Sequence, residues 1–181
     1  GVGGDRCIFV VIEFGYEAAP EQAEDILSSI IFRSTDPTRH RQIIAITEVM
    51  LVPINPGFAD LPEKQIVDFV MKQCDARQIT PQNFFYDAGM RTSLVETFAQ
   101  LWSPYTNSND FGGRPSDKSV SSNIETNCRE YYSKFVSELW FTVRLAVQAG
   151  QVRNFTKDIV YEFAGREWKI VGGNKTEIET K

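Results

Sequence analysis

NFFYDAGMRTSLVETFAQLW (residues 83–102) passes in one step from an aromatic run to a helical pattern. Asn83 to Asp87, with Phe84, Phe85 and Tyr86 in a row, reads as a short strand, because aromatic side chains suit a pleated, half-buried surface. Gly89 breaks it. Ser93 with Glu96 three residues on fits a capping box, and Leu94, Val95, Phe98, Leu101 and Trp102 then fall on one side of a helix. Asp87 is thus expected at the carboxyl end of a strand, just before a loop and a helix. A carboxylate there is held on a rigid element yet open to solvent and to a metal. Aspartate also commonly caps the turn that follows it, and local spacing leaves both roles open.

Working outward, Arg6 to Gly15 is β-branched and aromatic and reads as a mostly buried strand after a Gly3-Gly4-Asp5 turn. Ala23, Ile26, Leu27, Ile30 and Ile31 recur at helical spacing from Glu21 to Phe32, with Pro20 ahead of them. Ile43 to Ile54 reads as a second strand. Asp60 and Glu63 fit a capping box for a helix ending near Gln78, with Ile66, Val67, Val70 and Cys74 on its apolar face. Ser103 to Asn123 has the Ser, Asn, Asp, Gly and Pro content of a long surface loop. Asn127 with Glu130 begins a long helix in which Tyr132, Phe135, Val136, Leu139, Trp140, Val143 and Val147 share a face until Gly150. A short helix near Asp158 to Gly165 and a hairpin, Trp168–Val171 and Thr176–Thr180 about Gly172-Gly173-Asn174, complete the reading. Alternating strands and helices predict an α/β fold with a mixed sheet flanked by helices, in a single domain over residues 1–181.

Composition supports a packed core: 42% of residues are hydrophobic and 12% aromatic. The longest apolar run, Cys7 to Ile12, is far short of the ~20 residues that cross a bilayer, so no membrane span is expected. Nineteen basic against 24 acidic side chains give a net charge of −5, which excludes a global positive field and confines any nucleic-acid contact to a local patch. Cys7, Cys74 and Cys128 are odd in number and widely spaced, as expected of reduced thiols in a cytoplasmic compartment.

Several chemistries drop out. His40 is the sole histidine, in a polar stretch with no Gly-x-Ser-x-Gly element in the chain, so a Ser-His or Cys-His enzyme is not indicated. Gly1-Val2-Gly3-Gly4 lacks the spacing of a phosphate-binding glycine loop. Carboxylates remain.

Taken in order, Gly-Gly-Asp-Arg-Cys at 3–7, Phe-Tyr-Asp-Ala-Gly at 85–89, Asp-Phe-Gly-Gly at 110–113 and Tyr-x-x-Phe-Val-Ser-Glu-Leu-Trp-Phe at 132–141 form a connected series. Gly-Gln-Val-Arg at 150–153, Glu-Phe-x-x-Arg-Glu-Trp at 162–168 and Glu-Ile-Glu-Thr-Lys at 177–181 continue it. The series resembles the nuclease domain of tailed-phage terminase large subunits, essentially end to end. The resemblance implies a ribonuclease H-like fold whose acidic residues hold two Mg²⁺ or Mn²⁺ ions and hydrolyse double-stranded DNA during genome packaging. Such a pair of ions makes a histidine or serine nucleophile unnecessary. Asp87 matches the family's second acid. The first lies ahead of the Gly-Gly-Asp element and the last beyond Glu-Thr-Lys, both outside residues 1–181. With glycine rather than methionine at position 1, a domain truncated at both ends is expected.

Asp5 and Glu179 are further acids that could approach Asp87 as metal ligands or simply face solvent. Arg91 beside Asp87, Arg114 and Lys118 in the long loop, and Arg153, Lys157, Arg166 and Lys169 toward the tail are candidate phosphate contacts or ordinary surface charges. By resemblance the partners are duplex DNA, a terminase ATPase domain, a small terminase subunit and a portal, in a bacterial cytoplasm. A catalytically silent docking or DNA-positioning module is the rival reading; another ribonuclease H-like enzyme, a resolvase or integrase, is a third.

Overall fold

The computed structural model describes residues 6–18, 40–89, 92–121 and 124–179. The helix expected over Glu21 to Phe32 lies outside them, as do Asp5 and Arg91. Backbone contacts divide the chain into two compact units: Gly1–Val10 with Val49–Phe111, and Val11–Glu48 with Gly112–Lys181.

Two long strands run through both ranges. β1 (Ile8–Ala18) and β2 (His40–Leu51) are neighbours in a three-stranded sheet of order β1-β2-β7, with β7 at Val152–Arg153. Val52 N–H donates to Cys7 O, and the Thr47 hydroxyl donates to Val11 O. These contacts run in opposite senses, so β1 and β2 are antiparallel, whereas β7 joins β2 in parallel with Ile44 opposite Val152. The sheet is therefore mixed, as expected. β1 alternates instead of being mostly buried: Phe9 and Val11 are buried, while Ile8, Val10, Ile12, Phe14 and Tyr16 are exposed. An antiparallel ladder tolerates one solvated face, which a run of apolar residues conceals in the sequence.

In the first unit, α1 (Pro62–Ala76) presents Val67, Val70 and Cys74, all buried at helical spacing. Asp60 does not cap it; Leu61 takes the N-cap place without a side-chain bond. Gln65 ties the entry instead: its amide N–H donates to Asn55 O and Asp60 O, and its carbonyl accepts from Asn55 N–H. A 3₁₀ turn at Pro81–Asn83 shortens the next strand to β3, Phe85–Asp87. α2 follows at Thr92–Leu101, burying Leu94 and Phe98. Ser93 lies inside this helix and donates to Glu63 Oε1 at 3.3 Å, so the expected Ser93 cap is absent. Phe84 packs within 5.2–5.6 Å of Tyr86, Phe98 and Trp102, ring centre to ring centre. That aromatic cluster is the unit's core.

The expected long loop contains paired backbone. Asn107–Asn109 forms β4, parallel to β3 with Asp87 opposite Asn109, and Ser119–Ser121 forms β5, antiparallel to β6 (Ile124–Asn127). Serine and asparagine carry little strand propensity, so ladder hydrogen bonds override composition here.

In the second unit, Asn127 caps a helix as expected, its side chain accepting from Arg129 N–H, but α3 (Cys128–Tyr131) lasts one turn. The chain is extended at Tyr132, where Ser133 N–H donates to Thr176 O, and α4 restarts at Phe135–Gln148. The expected long helix is thus two, and the break resets the helical phase. Ser137, Glu138 and Ala146 are buried, whereas Leu139 and Val147 are exposed. Gly150, at φ 64°, ends α4 in a left-handed conformation that suits glycine. α5 (Lys157–Ala164) and the antiparallel hairpin of β8 (Trp168–Val171) and β9 (Lys175–Ile178) match expectation, and Ile178 is completely buried.

Candidate functional site

Asp87 is the last residue of β3 and is exposed. Phe84 and Tyr86 anchor the strand in the first unit's core while Phe85 between them is exposed, and pairing to β4 fixes the strand's end, since Ala88 N–H donates to Asn109 O. Gly89 N–H donates to Asp87 Oδ1 at 2.9 Å, closing a turn in which Gly89 sits at φ 51°. Among the described residues the second carboxylate oxygen has no hydrogen-bond partner. One oxygen therefore serves the turn-capping role, and the other has no partner among the described residues.

A divalent ion at this place would find one fitting ligand, an exposed carboxylate on a rigid strand end. Among the described residues no three His, Cys, Asp or Glu side chains come together around a metal position. Asp5 lies outside the described residues. Glu179 belongs to the second unit, where its N–H donates to Glu167 O and its carbonyl accepts from Arg166 Nη1 at 3.4 Å. It borders an open groove of about 320 Å³ lined also by Glu167, Trp168, Lys169 and Glu177. With three glutamates against one lysine, that groove is unsuited to phosphate. Glu177 itself is held below the usual carboxylate range by a hydrogen bond from the Ser133 hydroxyl, with the nearby Lys134 ammonium adding to it.

The candidate phosphate contacts sort by what else they do. Arg153 is engaged, donating to Glu17 at 2.7 Å and to the carbonyls of Gly150 and Val152. Arg166 leans on Glu179 O, and Lys169 faces Glu177 across the hairpin. Arg114 and Lys118 stand together on one loop, exposed, and neither forms an ion pair among the described residues. Arg91 lies outside the described residues.

Sequence reading missed Glu138. The residue is only 7% exposed, and its carboxylate accepts from both Ser116 N–H and the Ser116 hydroxyl at 2.6 Å. A carboxylate two positions before Trp140, and the only acidic residue of that helix, is the signal that could have found it, since buried carboxylates require partners. The chain matches no family model, no curated protein and no solved structure. Among the described residues no helix is long and apolar enough to cross a membrane.

Proposed function

We propose that the chain is the nuclease domain of a tailed-phage DNA-packaging terminase, a ribonuclease H-like, metal-dependent endonuclease acting on double-stranded DNA. The observation that carries this reading is Asp87 itself: an exposed carboxylate at the carboxyl end of two parallel strands, with one oxygen uncommitted among the described residues. Ligand sites in α/β sheets gather at such strand ends. The ordered run of motifs from Gly3 to Lys181 supports the same reading. Mg²⁺ or Mn²⁺ would supply the activated water and the stabilised leaving oxygen of phosphodiester hydrolysis. Asp87 would hold the ion, and the Gly89 turn would fix the carboxylate's orientation. Arg114 and Lys118 would hold the duplex by its phosphates, without sequence preference. An ATPase domain, a small terminase subunit and a portal are the partners this reading entails.

The turn-capping bond from Gly89 N–H also favours a second reading, a catalytically silent DNA-positioning module in which Asp87 serves structure alone. Nicking of supercoiled plasmid separates the two. With Mn²⁺, and with the family's first and last acids supplied on either side of residues 1–181, the nuclease reading expects nicking and linearisation that chelation abolishes and that Asp87→Asn loses. An intact plasmid, or cleavage that survives Asp87→Asn, overturns it.

A further inference from the structure

We infer that Glu138 is a positioning residue: its buried carboxylate holds the 113–118 loop so that Arg114 and Lys118 meet the phosphate backbone of duplex DNA. The inference deepens the proposed function and rests on its DNA-binding reading.

Residues 113–118 read Gly-Arg-Pro-Ser-Asp-Lys, a composition that by itself favours many conformations. Here every turn of the segment is tied. Gly113 O accepts from Phe135 N–H at 2.8 Å, and Lys118 O accepts from Cys128 N–H at 2.8 Å. Between them Pro115 is buried, and Ser116 makes four bonds: two to Glu138, its carbonyl accepts from Arg129 N–H, and its hydroxyl accepts from Lys118 N–H at 3.3 Å. The Arg129 guanidinium adds an ion pair to Asp117 at 2.6 Å.

Stability alone does not call for a carboxylate at position 138, because a well-packed apolar residue usually does as well or better in a buried site. What a carboxylate adds is two acceptors on one rigid group, matched here to the amide and the hydroxyl of a single loop residue. The cations of the second unit differ in their commitments. Arg129 is spent on Asp117, Lys134 lies 3.5 Å from Glu177, and Arg153 pairs with Glu17. Arg114 and Lys118 are exposed without such pairing among the described residues, on backbone already ordered. Cations presented this way bind a polyanion without first paying the entropy of ordering a loop.

The test uses the 181-residue chain, a labelled duplex of random sequence titrated over about 50–200 mM salt, and amide hydrogen exchange at Ser116. The Arg114→Ala, Lys118→Ala double variant is expected to weaken binding and to make the salt dependence shallower by about two phosphate contacts. Glu138→Ala is expected to speed exchange at Ser116, to weaken binding about tenfold, and to cause no further loss in the double-variant background. Glu138→Gln, whose carbonyl accepts from the amide while its NH₂ donates to Ser116 Oγ, is expected to restore both protection and affinity. If Glu138→Ala does not fold, Ser116→Ala replaces it with the same expectations. Full additivity with the double variant, or a loosened loop with unchanged affinity, overturns the inference while DNA binding stands. A wild-type chain that binds no duplex overturns the DNA reading and the inference with it.

Discussion

Asp87 can be asked which of its jobs matters, because its two oxygens are engaged differently. Asparagine keeps an acceptor for Gly89 N–H but not the charge, so Asp87→Asn is expected to match the wild type in thermal stability. Asp87→Ala is expected to be less stable by about 0.5–1 kcal/mol, the ordinary net value of one hydrogen bond, with both variants silent on plasmid. Cys74 offers a second test at this scale. Its side chain is completely buried in the first unit, and loss of hydration pushes the thiol up to about 11 from its ordinary 9.0. In the unfolded chain the thiol ionises first as pH rises, so its contribution to stability is full below pH 9.0 and is lost toward about pH 11. Thermal midpoints should fall across that window, and less steeply in Cys74→Ala; an equal slope in that variant would refute the assignment. Asp87 was legible in the sequence because the residues that place it are adjacent to it. Glu138 was not, since its partner Ser116 lies 22 residues away and no local pattern links them.

Among the elements, those whose signal is internal were readable. α1, α5 and the final hairpin follow from apolar spacing and turn residues, and each appears within a few residues of its expected bounds. Elements made by partners were not. β4 consists of Asn-Ser-Asn and exists because β3 offers it a ladder, and the helix from Asn127 breaks because Thr176 O takes the Ser133 amide. The start of α1 turns this contrast into a measurement. The Asp60 and Glu63 spacing suggests a cap, yet Gln65 makes three hydrogen bonds across the entry loop, at 2.8, 2.8 and 3.0 Å. Gln65→Ala is expected to cost about 1–2 kcal/mol in denaturant unfolding. Asp60→Ala should leave the midpoint nearly unchanged, because its remaining role is an exposed pair with Lys64. Equal effects would show that the acidic residue does cap the helix.

For the molecule as a whole, the net charge of −5 and a pI near 5.0 set its behaviour toward DNA and toward itself. Repulsion between copies vanishes near pH 5, so turbidity should be greatest there and clear on either side. Duplex DNA would meet the same overall repulsion at pH 7, so the proposed binding requires a local cluster of cations to oppose it. Fold class was legible at this scale because alternation of strands and helices survives errors at individual boundaries. The division into two discontinuous stretches was not: Phe111 falls within the loop-rich Ser103–Asn123 stretch, but Val10 and Glu48 lie inside strands, where nothing in composition marks a boundary. The last strand has a consequence in time. Ile178 N–H donates to Ser137 Oγ across 41 residues, and both residues are completely buried. On a ribosome adding about 5–20 residues per second, those 41 residues take roughly 2–8 s, during which α4 waits for β9 to close over it. A nascent chain stalled within that interval should attract chaperones, and one stalled after Ile178 has emerged should not.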